Sequence, residues 1–123
     1  MSIVYRIEGG TMNIQIFGSS KCFDTKKAER YFKERKIKYQ YVDIQKYGLS
    51  KGEFESVKAA VGLKELINTS AKEYKTLNMQ NLGVGNVAAE VLFSNPKLYR
   101  TPVVRNGRRA TVGYSPEVWT GWE

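Results

Sequence analysis

The chain has 123 residues and a mass of 14.0 kDa, the size of one domain. Hydrophobic residues at 41% and charged residues at 26% are globular proportions, which excludes extended disorder and collagen-like order. No apolar run approaches the roughly 20 residues that span a bilayer, and no cleavable signal pattern opens the sequence. One cysteine, Cys22, excludes an internal disulfide framework and sets the expectation of a reducing, cytoplasmic compartment. The absence of histidine excludes more: no Ser-His-Asp triad, no Cys-His pair and no zinc site of the usual kind can be built. For an enzyme with no bound cofactor, Cys22 is the nucleophile that remains.

Twenty Lys and Arg against twelve Asp and Glu give +8 and a pI near 9.6. Such a balance suits nucleic acid, an acidic partner or a small anionic substrate. Two short segments carry the excess. Residues 21–38 hold Lys21, Lys26, Lys27, Arg30, Lys33, Arg35, Lys36 and Lys38 against Asp24, Glu29 and Glu34. Residues 100–109 hold Arg100, Arg105, Arg108 and Arg109 with no acid. The first of these segments contains the only thiol.

Residues 1–11 end in Gly9-Gly10 before a second methionine, Met12, and fit nothing that follows. They are expected to be an added or upstream-start leader, with Ile3-Val4-Tyr5 able to form an edge strand, ahead of a single domain over 12–123. Residues 13–17 alternate and run into Gly18-Ser19-Ser20, predicting a short strand and a tight turn. Over 24–36, Ala28, Tyr31 and Phe32 recur at helical spacing with charged residues on the other faces. Residues 38–44 return to strand alternation, so the first third is a βαβ unit with parallel strands. Tyr31, Phe32, Tyr39 and Tyr41 fall on the apolar sides of these elements, so core packing is expected of them rather than stacking on a ligand.

The middle, about 49–97, is expected to be helical. Ser50 with Glu53 is a capping-box pair ahead of the apolar stripe Phe54, Val57, Ala60 and Val61. Further helices are expected over 63–67, 71–77 and 84–93, broken near Asn68-Thr69-Ser70 and Asn81-Leu82-Gly83. Gly83-Val84-Gly85 lacks the spacing of a phosphate loop and is expected to be a helix-start turn. Strands over 101–105 and 109–113 flank Asn106-Gly107, a strong hairpin signal. Ser115-Pro116-Glu117 then opens a terminal helix, on which Trp119 and Trp122 should pack against the sheet.

A cysteine at the start of the first helix meets unpaired N–H groups and the positive end of the helix dipole, and both favour thiolate over thiol. Lys21, Lys26 and Lys27 are expected to add positive charge. The alternative is a small buried cysteine, which the polar turn around it disfavours.

The order βαβ–helices–ββα, the thiol loop Ser20-Lys21-Cys22-Phe23-Asp24-Thr25-Lys26-Lys27-Ala28, the segment Leu98-Tyr99-Arg100-Thr101-Pro102-Val103-Val104 and the closing Val112-Gly113-Tyr114-Ser115-Pro116-Glu117 resemble the arsenate reductase (ArsC) family. That family includes the transcription regulator Spx, whose branch the closing motif is more similar to. The resemblance covers 13–123. It implies an α/β, thioredoxin-like (glutaredoxin-like) fold: βαβ–ββα with a helical insertion, a four-stranded mixed sheet flanked by helices. It also implies Cys22 as nucleophile and Thr101-Pro102 as the cis-proline position facing it. Lys21, Thr25, Lys26, Arg100, Thr101 and Pro102 are the anion- or substrate-binding candidates that follow.

Three departures from the family pattern are visible. Thr25 stands where a two-cysteine motif has its resolving thiol, so an internal disulfide switch is impossible; Thr25 either donates a hydrogen bond to the thiolate or simply belongs to the first helical turn. No arginine lies between Lys64 and Leu98, and Tyr114 occupies the position of a late arginine. An oxyanion site would be rebuilt from Arg100 and Lys21, with Lys26, Arg105 or Lys72 as further cations.

The expected activity is therefore a thiol oxidoreductase using Cys22, with a small oxyanion or thiol substrate and glutathione or glutaredoxin as external reductant. The alternative is an Spx-like regulator docking on an RNA polymerase subunit without catalysis. Direct nucleic-acid binding ranks last, because a charge run on an exposed helix is ordinarily a solvated face.

Overall fold

In the computed structural model, which describes residues 13–122, the first alternating run forms strand β1 (Ile14–Gly18). The leader and its edge strand lie outside the described residues. Helix α1 (Phe23–Glu34) follows, with Cys22 as its N-cap. It buries Thr25, Ala28, Tyr31 and Phe32, one stripe at helical spacing. The helix stops two residues earlier than the pattern suggested. Lys36 turns left-handed at φ +59°, and Ile37 N–H reaches back to the Phe32 carbonyl at 2.9 Å. That six-to-one bond closes the helix as a Schellman motif with lysine in the usual glycine place.

Strand β2 (Tyr39–Asp43) pairs in parallel with β1, as a βαβ unit requires. Ile44 opens a single turn, α2 (Ile44–Tyr47), rather than prolonging the strand, because the Asp43 side chain accepts from Gln45 N–H and caps it. Helix α3 (Lys51–Val61) carries the full capping box: Glu53 N–H donates to Ser50 Oγ and Ser50 N–H to the Glu53 carboxylate. Phe54 and Val57 are buried, whereas Ala60 faces solvent. The block continues through α4 (Leu63–Leu66), α5 (Lys72–Thr76), a 3-10 turn at Met79–Asn81, α6 (Asn86–Ser94) and a 3-10 turn at Pro96–Leu98. Gly85 is the N-cap of α6, so the glycine pair is a helix start.

The chain returns as β3 (Val103–Asn106) and β4 (Arg109–Val112), antiparallel to each other, with β3 antiparallel to β1. The hairpin loop is Gly107-Arg108, one residue later than Asn106-Gly107, because Asn106 pairs with Arg109. Gly107 at φ +62° supplies the first central residue, the pattern of a type II′ turn. Helix α7 (Pro116–Thr120) ends the described chain. The sheet order is β2-β1-β3-β4.

Two cores result. On one face α1 and α7 bury Ile14, Ile16, Ala28, Tyr31, Phe32, Val104 and Trp119, with Tyr39 and Trp122 partly buried against them. Trp119 Nε1–H donates to Thr111 Oγ1 at 2.8 Å and fixes α7 on β4. On the other face the helical block covers Phe17, Val103 and Val42. Tyr41 is 38% exposed on the edge strand, so the packing expected of it is not found. An edge strand has neighbours on one side only, and its outer residues keep their contact with water.

Candidate functional site

The site is built where β1 hands over to α1. Gly18 ends the strand in a seat that Thr25 fills: a Cβ on Gly18 would lie 2.7 Å from Thr25 Oγ1 and closer still to its Cγ2. Cys22 N–H bonds back to the Ser19 carbonyl at 3.0 Å, closing the turn. The buried Ser19 N–H donates to Thr25 Oγ1 at 3.2 Å. Thr25 therefore belongs to the first helical turn, and a side-chain hydrogen bond from it is among the influences that lower the Cys22 pKa.

Opposite, the Thr101–Pro102 bond is cis, and the Thr101 carbonyl accepts from Cys22 Sγ–H at 3.4 Å. Pro102 is buried, and its carbonyl accepts from Gly113 N–H at 2.8 Å, tying the segment to the loop after β4. Burial is the largest single influence on the Cys22 thiol and pushes its pKa up. Side-chain hydrogen bonds with Thr101 and Thr25, and the backbone N–H groups of Thr25 and Asp24, outweigh it and hold the pKa below the ordinary thiol value. The carbonyl contact favours the thiol. The hydroxyl and N–H donors favour the thiolate, and they win.

The influences that lower the Cys22 pKa are hydrogen bonds rather than the charge expected of Lys21, Lys26 and Lys27. Lys21 and Lys26 are exposed, and among the described residues no hydrogen bond or ion pair joins their side chains to the thiol. Lys27 Nζ lies over the Tyr114 ring, 5.6 Å from its centre. Arg100 pairs with Glu65 at 3.3 Å in solvent, while its N–H donates to the Leu66 carbonyl. Arg105 is bound to Gln15 Oε1 at 2.6 Å and Ser56 Oγ at 3.2 Å. The structure thus brings Cys22, Thr25, Thr101 and Pro102 together, while Lys21 and Lys26 reach into solvent and Arg100 pairs with Glu65. Among the described residues, no group of three His, Cys, Asp or Glu could hold a metal. No helix among them is long and apolar enough to cross a membrane.

Two residues near the site, Phe23 and Glu65, carry no role in the sequence reading, and Tyr41 is assigned there only to the core. Phe23, the first helical residue beside the thiol, is 81% exposed; an aromatic in a polar turn is the signal that marks it. Glu65 occupies Arg100 from 35 residues away, which no local pattern reveals. Tyr41 lies in the electrostatic reach of Cys22, which with burial, Asp43 and Glu29 raises its pKa; burial is the largest of these influences.

A four-stranded mixed sheet, a lone cysteine at the N-cap of the first helix and a cis-proline facing it define a thioredoxin-like fold. The chain belongs to the ArsC family, whose model matches residues 17–121. It is 30% identical over 107 residues to the global transcriptional regulator Spx 2 of Oceanobacillus iheyensis, covering 84% of this chain and 78% of that one. An ArsC family related protein from Bacteroides fragilis superposes with a TM-score of 0.75 at 27% identity, covering 91% of this chain and 98% of the other. An arsenate reductase from Vibrio cholerae gives a TM-score of 0.78 at 21% identity, again over 91% and 98%, a likeness of fold.

Proposed function

We propose that this protein is a single-cysteine thiol oxidoreductase whose substrate presents sulfur rather than an oxyanion. The observation that carries this is the surroundings of Cys22: its sulfur meets the Thr101 carbonyl beside the cis-proline at 3.4 Å, hydrogen bonds hold its pKa low, and among the described residues no hydrogen bond joins a Lys or Arg side chain to it. Such a site generates a nucleophile, and Arg100, the candidate cation beside Thr101, already has Glu65 as a partner. The thiolate attacks one sulfur of a mixed disulfide, a Cys22–S–S bond forms, and the other sulfur leaves as a thiolate. With no second cysteine in the chain, an external thiol must attack that bond, regenerating Cys22 and carrying away the new disulfide. Glutathione, or a glutaredoxin, suits that role.

The test is the rate of Cys22 alkylation by iodoacetamide against pH, with and without arsenate and glutathione disulfide. Inflection below that of the same thiol in the denatured chain, with protection by the disulfide and none by arsenate, is the expected result. Protection by arsenate alone would restore the oxyanion substrate. An unshifted thiol indifferent to both would remove the enzyme reading. The similarity to Spx 2 supports a second role, docking on an RNA polymerase subunit without turnover. Retention of polymerase by the immobilised chain, unchanged in Cys22→Ser, would favour it.

A further inference from the structure

Along α1 from the thiol, Phe23, Lys27, Arg30 and Glu34 form one ridge, spaced four, three and four residues apart and about 16 Å long. Beside the ridge, a groove of about 410 Å³ separates α1 from the loop into α7. Its walls are Lys27, Arg30, Tyr31, Glu34, Arg35 and Tyr114. The cations are held in place: the Arg35 guanidinium lies 3.7 Å from the centre of the Tyr31 ring and Lys27 stands over Tyr114. Tyr114 is 43% exposed and rests edge-on against buried Trp119, so the outer wall is anchored in the core.

Along the groove three cations, Lys27, Arg30 and Arg35, stand against one acid, Glu34. Among the described residues, ion pairs hold Lys51, Lys58 and Arg100, and none engages a cation of residues 21–38. Glu29, one of three acids in that segment, is taken by the Tyr39 hydroxyl at 2.9 Å. Uncompensated like charges repel one another within the free protein, and an acidic occupant relieves that repulsion while gaining attraction of its own.

We propose that this groove docks an acidic segment of a partner protein and leads it along α1 to Cys22, so that the reacting disulfide or thiol belongs to a protein rather than to a small molecule. The last clause rests on the thiol function proposed above; the docking does not. Exposed Phe23 gives such a segment an apolar anchor next to the sulfur. A duplex nucleic acid fits less well, because its charged backbone offers no apolar side chain for exposed Phe23 to meet.

The test uses the full chain and a short Asp/Glu-rich peptide whose one cysteine carries a 2-pyridyl disulfide, beside a matched Asn/Gln peptide. Cys22 thiolate attacks the peptide sulfur, the Cys22–S–S–peptide bond forms, and pyridine-2-thione is released and read by absorbance. At low salt the acidic peptide should react about tenfold faster or more, and the advantage should collapse near 0.5 M salt, roughly. The triple variant K27Q/R30Q/R35Q should lose the advantage. The variant K72Q/K75Q/K97Q, with the same net charge removed from the helical block, should keep it. Both should react normally with 2,2′-dithiodipyridine, which has no segment to dock. Equal rates for the two peptides, or equal losses in the two variants, would overturn the proposal. Inertness toward dithiodipyridine would instead remove the thiol function, and docking would then be read from the anisotropy of a fluorescein-labelled acidic peptide. In that measurement, tighter binding of a short duplex DNA than of the peptide would overturn the proposal.

Discussion

Thr25→Val keeps the shape of the side chain and deletes its hydroxyl, which serves two groups at once. The Ser19 N–H, buried and donating to Thr25 Oγ1 at 3.2 Å, loses its acceptor. A buried donor left unsatisfied costs about 1–3 kcal/mol. For a domain of this size that corresponds to a fall in Tm of roughly 4–12 °C. The thiol loses a side-chain donor while its burial is unchanged, so its pKa rises. Thr25→Ser separates the two effects. It keeps the hydroxyl and removes the Cγ2 methyl seated on Gly18, so it should cost about 0.5–1.5 kcal/mol and leave the pKa low. Thermal unfolding and the pH dependence of iodoacetamide alkylation measure both quantities on each variant. A valine variant with wild-type Tm and a wild-type inflection would refute the hydrogen-bond account of the thiol.

The other expectations concern stability, pH and Arg100. Gly18→Ala places a Cβ 2.7 Å from Thr25 Oγ1 and should destabilise by about 1–3 kcal/mol in urea unfolding, slowing alkylation as the turn shifts. The folded thiol's pKa is depressed, so its stabilising contribution is full above the unfolded pKa and is lost as pH falls through the folded one. The stability gap between wild type and Cys22→Ser should therefore widen as pH rises across that window; urea unfolding at its two ends would detect a flat or reversed gap. Arg100→Ala breaks an exposed pair with Glu65 and should change stability by less than about 1 kcal/mol, with alkylation rates unaltered. Ser50→Ala removes the α3 cap and should cost about 1 kcal/mol, read from the urea midpoint.

Much of this architecture is local and therefore written in the chain. The stripe Ala28, Tyr31 and Phe32 specifies α1 because side chains three and four apart share a face. Ser50 and Glu53 satisfy each other's N–H groups across a single turn, so the start of α3 needs nothing from elsewhere. Cys22 at the head of α1 follows from the strand–turn–helix pattern alone, and with it the backbone half of the thiol's hydrogen bonds. The hairpin was legible to within one residue; its register was set by Asn106 pairing with Arg109 across the ladder. What only the tertiary structure decided are the long-range choices. Thr101 meets Cys22 across 79 residues, and Glu65 pairs with Arg100 across 35. Tyr41 and Phe23, apolar by composition, keep much of their surface in water. The sequence by itself determined where the lone thiol sits and which helix carries the charge. Folding decided which hydrogen-bond partners reach the sulfur, because they come from segments far apart in the chain and only packing fixes the distance between them.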